Sequence, residues 1–139
     1  MLRVTRSGGR IGLANWTPEG FLGDLFALMA AFVPPPAGLA SPVQWGTEKR
    51  IAELFGGQAR DIRSHRRDFM FRYRSAEHWI ELFRDYYGPT HKAFGALTPA
   101  RQSELHVALI QLLSRHNRAR GNGTLVVPGE YLEVVITKA

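Results

Sequence analysis

Histidine is the side chain of this sequence best suited to proton transfer near neutral pH. The five histidines are His65, His78, His91, His106 and His116. No two of them have the H-x-x-x-H spacing that places two metal ligands on one helix face, and the chain has no cysteine. His91, in the stretch DYYGPTH, is the candidate general base because it has aromatic neighbours at a predicted helix end. A structural role for His91 is the alternative that we favour.

Motifs that bind phosphate or activate a serine do not occur in the sequence. Neither G-x-G-x-x-G nor G-x-x-x-x-G-K-[ST] is present, so no glycine-rich loop is arranged to hold a nucleotide. No G-x-S-x-G nucleophile elbow is present either, although a Ser-His-Asp triad assembles only on folding and stays open. The sequence therefore predicts no metal site and no cofactor site of its own.

The positive charge of the chain raises the question of a nucleic-acid partner. Lys plus Arg number 18 and Asp plus Glu 12, so the formal net charge is 18 − 12 = +6. The densest basic run, residues 60–68, is diluted by Asp61 and Asp68, and a second group, residues 115–120, closes a predicted helix. Cations in a last helical turn complement the helix dipole, which is a structural use. We therefore expect solvated arginine-rich surfaces and disfavour a nucleic-acid interface.

The elements that position these residues can be predicted from hydrophobic period and cap residues. Three strands are expected, and for the last of them we expect both faces to be covered and a Pro128-Gly129 turn just before it. They are Arg10–Trp16, Arg67–Tyr73 and Tyr131–Thr137. Four helices are expected, with starts at Thr17-Pro18, Gly46-Thr47, Ser75 and Thr98-Pro99. Gly88-Pro89 is predicted to end the third helix.

Length and hydropathy favour one domain over residues 1–139 and a cytoplasmic location. The longest apolar stretch, Phe21 to Val33, contains Asp24 and is shorter than the ~20 residues that cross a bilayer. The first ten residues, MLRVTRSGGR, lack the apolar segment of a secretory signal.

Four blocks of the sequence carry a family resemblance, and together they cover almost the whole chain. They are LRVTRSGGRIGLANWTPEGF, VPPPAGLASPVQWGTEKRIAELFG, FMFRYRSAEHWIELFRDYYGP and EYLEVVITKA. In this order they resemble the carboxyl half of class I S-adenosylmethionine-dependent methyltransferases of the ubiquinone/menaquinone-biosynthesis type. Ser7 stands where that family usually has proline.

The resemblance implies an α/β fold with a small three-strand mixed sheet. These strands would be equivalent to the last three of the Rossmann-like methyltransferase sheet, with about four helices packed on them. The fifth strand would be Arg10–Asn15, the sixth would lie within Ala59–Tyr73, and the seventh, Tyr131–Thr137, would run antiparallel between them. Residues 17–57 and 75–120 would form helical lid or insert segments.

The family's S-adenosylmethionine site lies on its first four strands, and nothing in this sequence matches them. We therefore expect a chain that lacks the cofactor-binding half, carries no cofactor-binding residue and is inactive alone. S-adenosylmethionine would be used only if a missing N-terminal half or a partner chain supplied the site. A fragment, a shortened reading frame and a natural half-protein are the three alternatives.

The resemblance also implies where a methyl acceptor would bind. Open α/β sheets place ligands at the carboxyl ends of parallel strands, which selects Asn15, Trp16 and Thr17. The candidate lining of an apolar acceptor pocket adds Phe21, Trp45, Phe69, Phe71 and Tyr86 to this group. The alternative for each aromatic residue is an ordinary place in the core.

The strand Arg10–Asn15 would normally pair with a fourth strand, so its edge is expected to be open. An uncharged apolar edge is a template for pairing between chains, and we predict a homodimer through this edge. The alternative function is a non-catalytic module that binds a small molecule or a protein.

Overall fold

A three-stranded sheet forms the framework of the chain, and the computed structural model describes residues 1–121 and 123–139. The strands are β1 (Arg10–Trp16), β2 (Ala59–Tyr73) and β3 (Leu125–Lys138), in the spatial order β1-β3-β2. β3 runs antiparallel to β1, with Ile11 opposite Ile136. The α/β class is confirmed, but the sheet is antiparallel where the resemblance implied a mixed one. Its equivalence to the last methyltransferase strands stays a prediction.

β3 is one continuous strand, so the predicted turn at Pro128-Gly129 is wrong. β1 ends opposite Tyr131, and Pro128 lies beyond that point of the register. A strand tolerates proline where the missing N–H would face no neighbouring strand, which is the physical reason for the error. The prediction that both faces of this strand are covered is also wrong, because Val135 is 38% exposed.

Within residues 1–121 and 123–139, five α-helices connect and flank the strands, one more than predicted. They are α1 (Phe21–Phe32), α2 (Glu48–Phe55), α3 (Ala76–Tyr86), α4 (Gly88–Ala96) and α5 (Pro99–His116). Three predicted helix starts are confirmed. At each start the side chain of Thr47, Ser75 or Thr98 accepts a hydrogen bond from the backbone N–H three residues later. Gly88-Pro89 ends α3 and also begins α4, since proline suits the first turn of a helix.

The first helix begins later than its sequence pattern predicts. Thr17-Pro18 was expected to be its cap and first residue, whereas α1 begins at Phe21. The hydroxyl of Thr17 donates instead to Glu130 Oε1 at 2.8 Å, and its backbone N–H donates to the Glu130 carbonyl. Thr17 therefore continues the pairing of β1 with β3 and is not available as a helix cap.

The chain divides into two compact units. The sheet unit comprises Met1–Gly23, Ala40–Phe69 and Gly129–Ala139. The helical unit comprises Asp24–Leu39 and Met70–Pro128. The expected insert segments, 17–57 and 75–120, contain α1 with α2 and α3 to α5 respectively.

Each unit has its own buried apolar side chains. In the sheet unit these pack into one cluster of Ile11, Ile51, Phe55, Leu132, Val134 and Ile136. In the helical unit, α3 and α5 contribute fully buried residues that include Trp79, Leu105, Leu109, Leu112 and Leu113. In the part of the chain that the structure describes, no helix combines the length and apolarity needed to cross a bilayer.

Candidate functional site

The carboxyl end of β1 is held in place by contacts from two directions. Thr17 is fully buried, and its two hydrogen bonds to Glu130 tie it to β3. On the other side, the 3₁₀ turn Pro42–Gly46 approaches so closely that a Cβ on Gly46 would lie 2.0 Å from the carbonyl oxygen of Trp16. Only glycine fits at such a distance. Asn15, Trp16 and Thr17 therefore occupy a fixed strand end. β1 pairs antiparallel with β3, whereas the expectation rested on the carboxyl end of a parallel strand, so an acceptor site there stays a prediction.

A group of charged side chains lies at the same strand end and was missed by the sequence analysis. The guanidinium of Arg66 donates to Glu130 Oε1 at 2.7 Å and to Glu19 Oε2 at 3.3 Å. The hydrogen bond and charge of Glu130, followed by those of Glu19, raise the pKa of Arg66 above its ordinary value. Two carboxylates share one guanidinium, so this charged cluster (Glu19, Arg66 and Glu130) carries an excess of negative charge.

Asn15 contributes an unused hydrogen-bond donor to this strand end. Its side-chain nitrogen is buried and has no hydrogen-bond partner among the described residues. Asn15 lies on the same face of β1 as Ile11 and Leu13, which pack in the core of the sheet unit. A buried donor without an acceptor costs ~1–3 kcal/mol, so the position calls for a physical reason. An acceptor oxygen on a bound molecule would provide one.

The aromatic candidates of the sheet unit have different surroundings. Trp16 packs edge-on against Tyr131 at a centroid distance of 6.1 Å, and Trp45 packs in the same way against Phe55 at 6.4 Å. Phe21 is 1% exposed and belongs to the core, whereas Phe69 is 53% exposed. Trp16 and Trp45 are thus the partly exposed aromatic residues that neighbour the end of β1.

The remaining candidates belong to the helical unit. Phe71 is buried against Phe83, with ring centroids 6.1 Å apart, and Tyr86 is 82% exposed. Nδ1 of His91 lies 2.9 Å from the carbonyl oxygen of Arg84, in the last turn of α3. That carbonyl is one of the helix-end acceptors that need a donor, so the contact gives His91 a structural role at the end of α3, and its role as general base stays a prediction. Whether Phe71 and Tyr86 contact an acceptor stays a prediction.

Two tyrosines of the helical unit are perturbed by their surroundings. Burial raises the pKa of Tyr73 and of Tyr87 above the ordinary value, because desolvation disfavours the phenolate. Neither is a general base at neutral pH, since both hydroxyls stay protonated there.

The outer face of the sheet unit is polar and open. A shallow pocket on it is lined by Arg10, Asp61, Arg63, His65, Arg67, Glu133, Val135 and Thr137. Arg63 pairs with Asp61 at 2.8 Å and Arg67 with Glu133 at 2.9 Å. Carboxylates therefore neutralise two of the three arginines that line this pocket. Fewer free cations would remain to bind phosphates, which disfavours a nucleic-acid interface here.

The two strand-to-helix connections among the described residues carry no glycine-rich loop. The connection from β1 to α1 has one glycine, Gly20, and a Cβ there would lie 3.1 Å from Glu130 Cβ, so packing explains it. The connection from β2 to α3 has no glycine. Within residues 1–121 and 123–139, no three His, Asp or Glu side chains are grouped to hold a metal ion.

Comparison with known proteins finds relatives but no activity. No family model matches the chain. An uncharacterised protein of Mycobacterium tuberculosis is 35% identical over 99 residues, which cover 70% of this chain and 36% of that protein. A second uncharacterised protein of the same species is 29% identical over 120 residues, covering 84% of this chain and 44% of that protein. Mycobacterium bovis has matching proteins. The chain thus spans less than half the length of these curated relatives.

Proposed function

We propose that this chain is the acceptor-binding part of an S-adenosylmethionine-dependent methyltransferase and is inactive alone. The observation that carries the proposal is the strand order β1-β3-β2, with β3 antiparallel to β1. The resemblance implies this order for the last three strands of such an enzyme. The greater length of the mycobacterial relatives is in keeping with a chain that corresponds to one part of a larger fold.

The acceptor site of this proposal is the carboxyl end of β1. Trp45, which packs against the core cluster, would contact an apolar ring, and the unused donor of Asn15 on the core face of β1 would bind an oxygen of the acceptor. Trp16 lies on the other face of β1, so its contact with the acceptor stays a prediction. The charged cluster of Glu19, Arg66 and Glu130 has excess negative charge and would repel an anionic acceptor. The substrate class is therefore a neutral, largely apolar molecule with an oxygen that accepts a hydrogen bond, such as a quinone.

The cofactor is not assigned to this chain. Its strand-to-helix connections do not form the glycine-rich cradle that S-adenosylmethionine would need, so a second polypeptide or a further segment would supply it. Cytoplasmic location stays a prediction from the sequence.

Thermal unfolding in the presence of ligands tests the acceptor site. A neutral quinone at about a hundred times its Kd is expected to raise the Tm by several degrees, whereas S-adenosylmethionine is expected to give neither a shift nor heat in titration calorimetry. The variant Asn15→Leu should lose the quinone shift, and the control Thr137→Val, on the opposite sheet face, should keep it. Stabilisation by polar metabolites but not by quinones would contradict the acceptor site. Micromolar binding of S-adenosylmethionine would contradict the cofactor assignment.

A homodimeric binding module is the second candidate function. β1 is an edge strand of the sheet and contains neither lysine nor proline, the residues that commonly protect such edges. We propose that two copies associate through β1. Light scattering that finds a stable monomer at micromolar and higher concentrations would contradict this candidate and leave the acceptor site untouched.

A further inference from the structure

The backbone of β1 presents an unpaired edge over part of its length. Gly9 accepts from the N–H of Lys138, and the N–H of Thr17 donates to Glu130, so the odd-numbered residues of β1 direct their hydrogen-bonding groups to β3. The alternation of an antiparallel ladder then directs the N–H and C=O groups of the even-numbered residues to the open side. These residues are Arg10, Gly12, Ala14 and Trp16.

One end of this edge is closed within the chain. The turn Pro42–Gly46 lies against β1 at Trp16, where a Cβ on Gly46 would meet the carbonyl oxygen at 2.0 Å. At Gly12, by contrast, the backbone itself is exposed, since glycine has no side chain. The open edge therefore runs from Arg10 to Ala14, and all three of its outward-directed residues are exposed.

We infer that this edge pairs with the same edge of a second copy, antiparallel and centred on Gly12. Gly12 would then face Gly12 of the other copy, and Arg10 would face Ala14, so that each pair exchanges two backbone hydrogen bonds. The alternative register centred on Leu13 requires Trp16 opposite Arg10 and is blocked by the turn at Gly46. The inference rests on the proposed homodimer and specifies its interface.

Side chains on both faces of β1 favour a second copy of the chain as the partner of its open edge. On the core face, Ile11 of one copy would lie opposite Leu13 of the other, and Leu13 is only partly buried in the single chain. On the outer face, Ala14 lies between the opposing Arg10 and Glu133 of its own sheet, because Ala14 pairs with Glu133 in the β1–β3 register. Arg10 makes no ion pair with any described residue, and across the small alanine it would face Glu133, which already pairs with Arg67.

Charged side chains disfavour association of two copies through β2, the strand at the other edge of the sheet. Between residues 59 and 69, β2 contains the sequence ARDIRSHRRDF, whereas β1 has one charged residue, Arg10. Charged side chains along an edge prevent association with another strand. The occupied edge is therefore that of β1.

Single-cysteine cross-linking tests the register, because the chain has no cysteine of its own. Two Gly12→Cys side chains would lie on residues with a Cα–Cα distance of about 5.5 Å, which a disulfide spans. Ala14→Cys is the matched control on the same face, since its two copies would be offset by four residues, or about 13 Å. Under mild oxidation we expect at least tenfold more covalent dimer for Gly12→Cys than for Ala14→Cys.

The outcomes separate this inference from the proposal on which it rests. More cross-linking at Ala14→Cys or at Leu13→Cys than at Gly12→Cys would overturn the register. A dimer in light scattering that cross-links at none of these positions would overturn edge pairing and leave the homodimer standing, whereas a stable monomer would overturn both. Ala14→Pro removes an N–H that does not face β3, so it should abolish the dimer while circular dichroism stays native.

Discussion

Asn15 in the sheet unit and Thr90 in the helical unit are both buried polar side chains without a hydrogen-bond partner among the described residues. Their surroundings differ. Asn15 lies at the end of β1, next in sequence to Trp16 and to Thr17, whose hydroxyl is tied to the charged cluster at Glu130. Thr90 is completely buried in the first turn of α4, whose Ala93 and Phe94 are buried too. We interpret the first as a donor kept for a ligand and the second as a cost of packing.

This contrast extends to the two units as wholes. The sheet unit combines an apolar cluster with ion pairs that link β2 to β3 and to Glu19, in the connection between β1 and α1. The helical unit has a core of large apolar side chains, and its candidate catalytic residue, His91, caps a helix. We therefore expect ligand binding in the sheet unit, whereas in the helical unit we expect core packing to be the main source of stability.

The largest effect on stability should come from removing a large buried side chain from the core of the helical unit. Trp79 is fully buried and stacks on Phe83 at a centroid distance of 3.8 Å. Trp79→Ala is expected to lower the free energy of unfolding by about 3–5 kcal/mol in urea titrations. The control is Val107→Ala on α5, where the side chain is 55% exposed and a change within ~0.5 kcal/mol is expected. A loss below ~1 kcal/mol for Trp79→Ala would mean that packing does not dominate this unit.

A smaller loss of stability should follow from removing the hydrogen bond of Thr17 at the carboxyl end of β1. Thr17→Val keeps the shape of the side chain but removes the hydroxyl that donates to Glu130 Oε1. Because Glu130 then loses a donor in a partly buried place, we expect a loss of about 1–2 kcal/mol in the free energy of unfolding. Thr137→Val on β3 serves as the control. Equal effects of the two variants would show that the hydrogen bond to Glu130 contributes nothing.

The comparison of Asn15 with Thr90 can be tested by removing each unpaired group. Asn15→Leu and Thr90→Val both replace an unsatisfied polar group by an apolar one of similar shape, and each is expected to stabilise the chain by about 1 kcal/mol. Of these two variants, Asn15→Leu alone should abolish stabilisation by a quinone. If Thr90→Val abolished it as well, or if neither did, Asn15 would not be the ligand donor.

The smallest effect is expected at alkaline pH. Burial raises the pKa of Tyr87, so above the ordinary value near 10 the unfolded chain loses its proton before the folded chain does. Stability from this group is complete below that pH and is lost as the pH rises through the folded-state pKa. Tyr87→Phe should flatten the decline in urea midpoint above about pH 10. Its exposed neighbour provides the control, and Tyr86→Phe should keep the full decline.

Local signals predicted the parts of the fold that depend on neighbouring residues. The helix starts at Thr47, Ser75 and Thr98 were predicted correctly, since each depends on a side chain that accepts from an N–H only three residues away. β1 was predicted with its correct bounds, since its pattern and flanking turn lie within one segment. The same reasoning failed at Thr17, where a distant partner takes the hydroxyl that a helix cap would use.

The sequence by itself predicted the α/β class and the starts of β1, α2, α3 and α5, whereas β2, β3 and α1 begin elsewhere and α4 was not predicted. The carboxyl end of β1 as a place for an acceptor stays a prediction. Tertiary structure alone decided the contents of that strand end. Thr17 and Glu130 are 113 residues apart in sequence, and Arg66 and Glu130 are 64 apart. No local pattern relates residues at such separations, because their contact arises from strand pairing across the sheet. The same pairing leaves the even-numbered residues of β1 facing outward, and thereby creates the open edge.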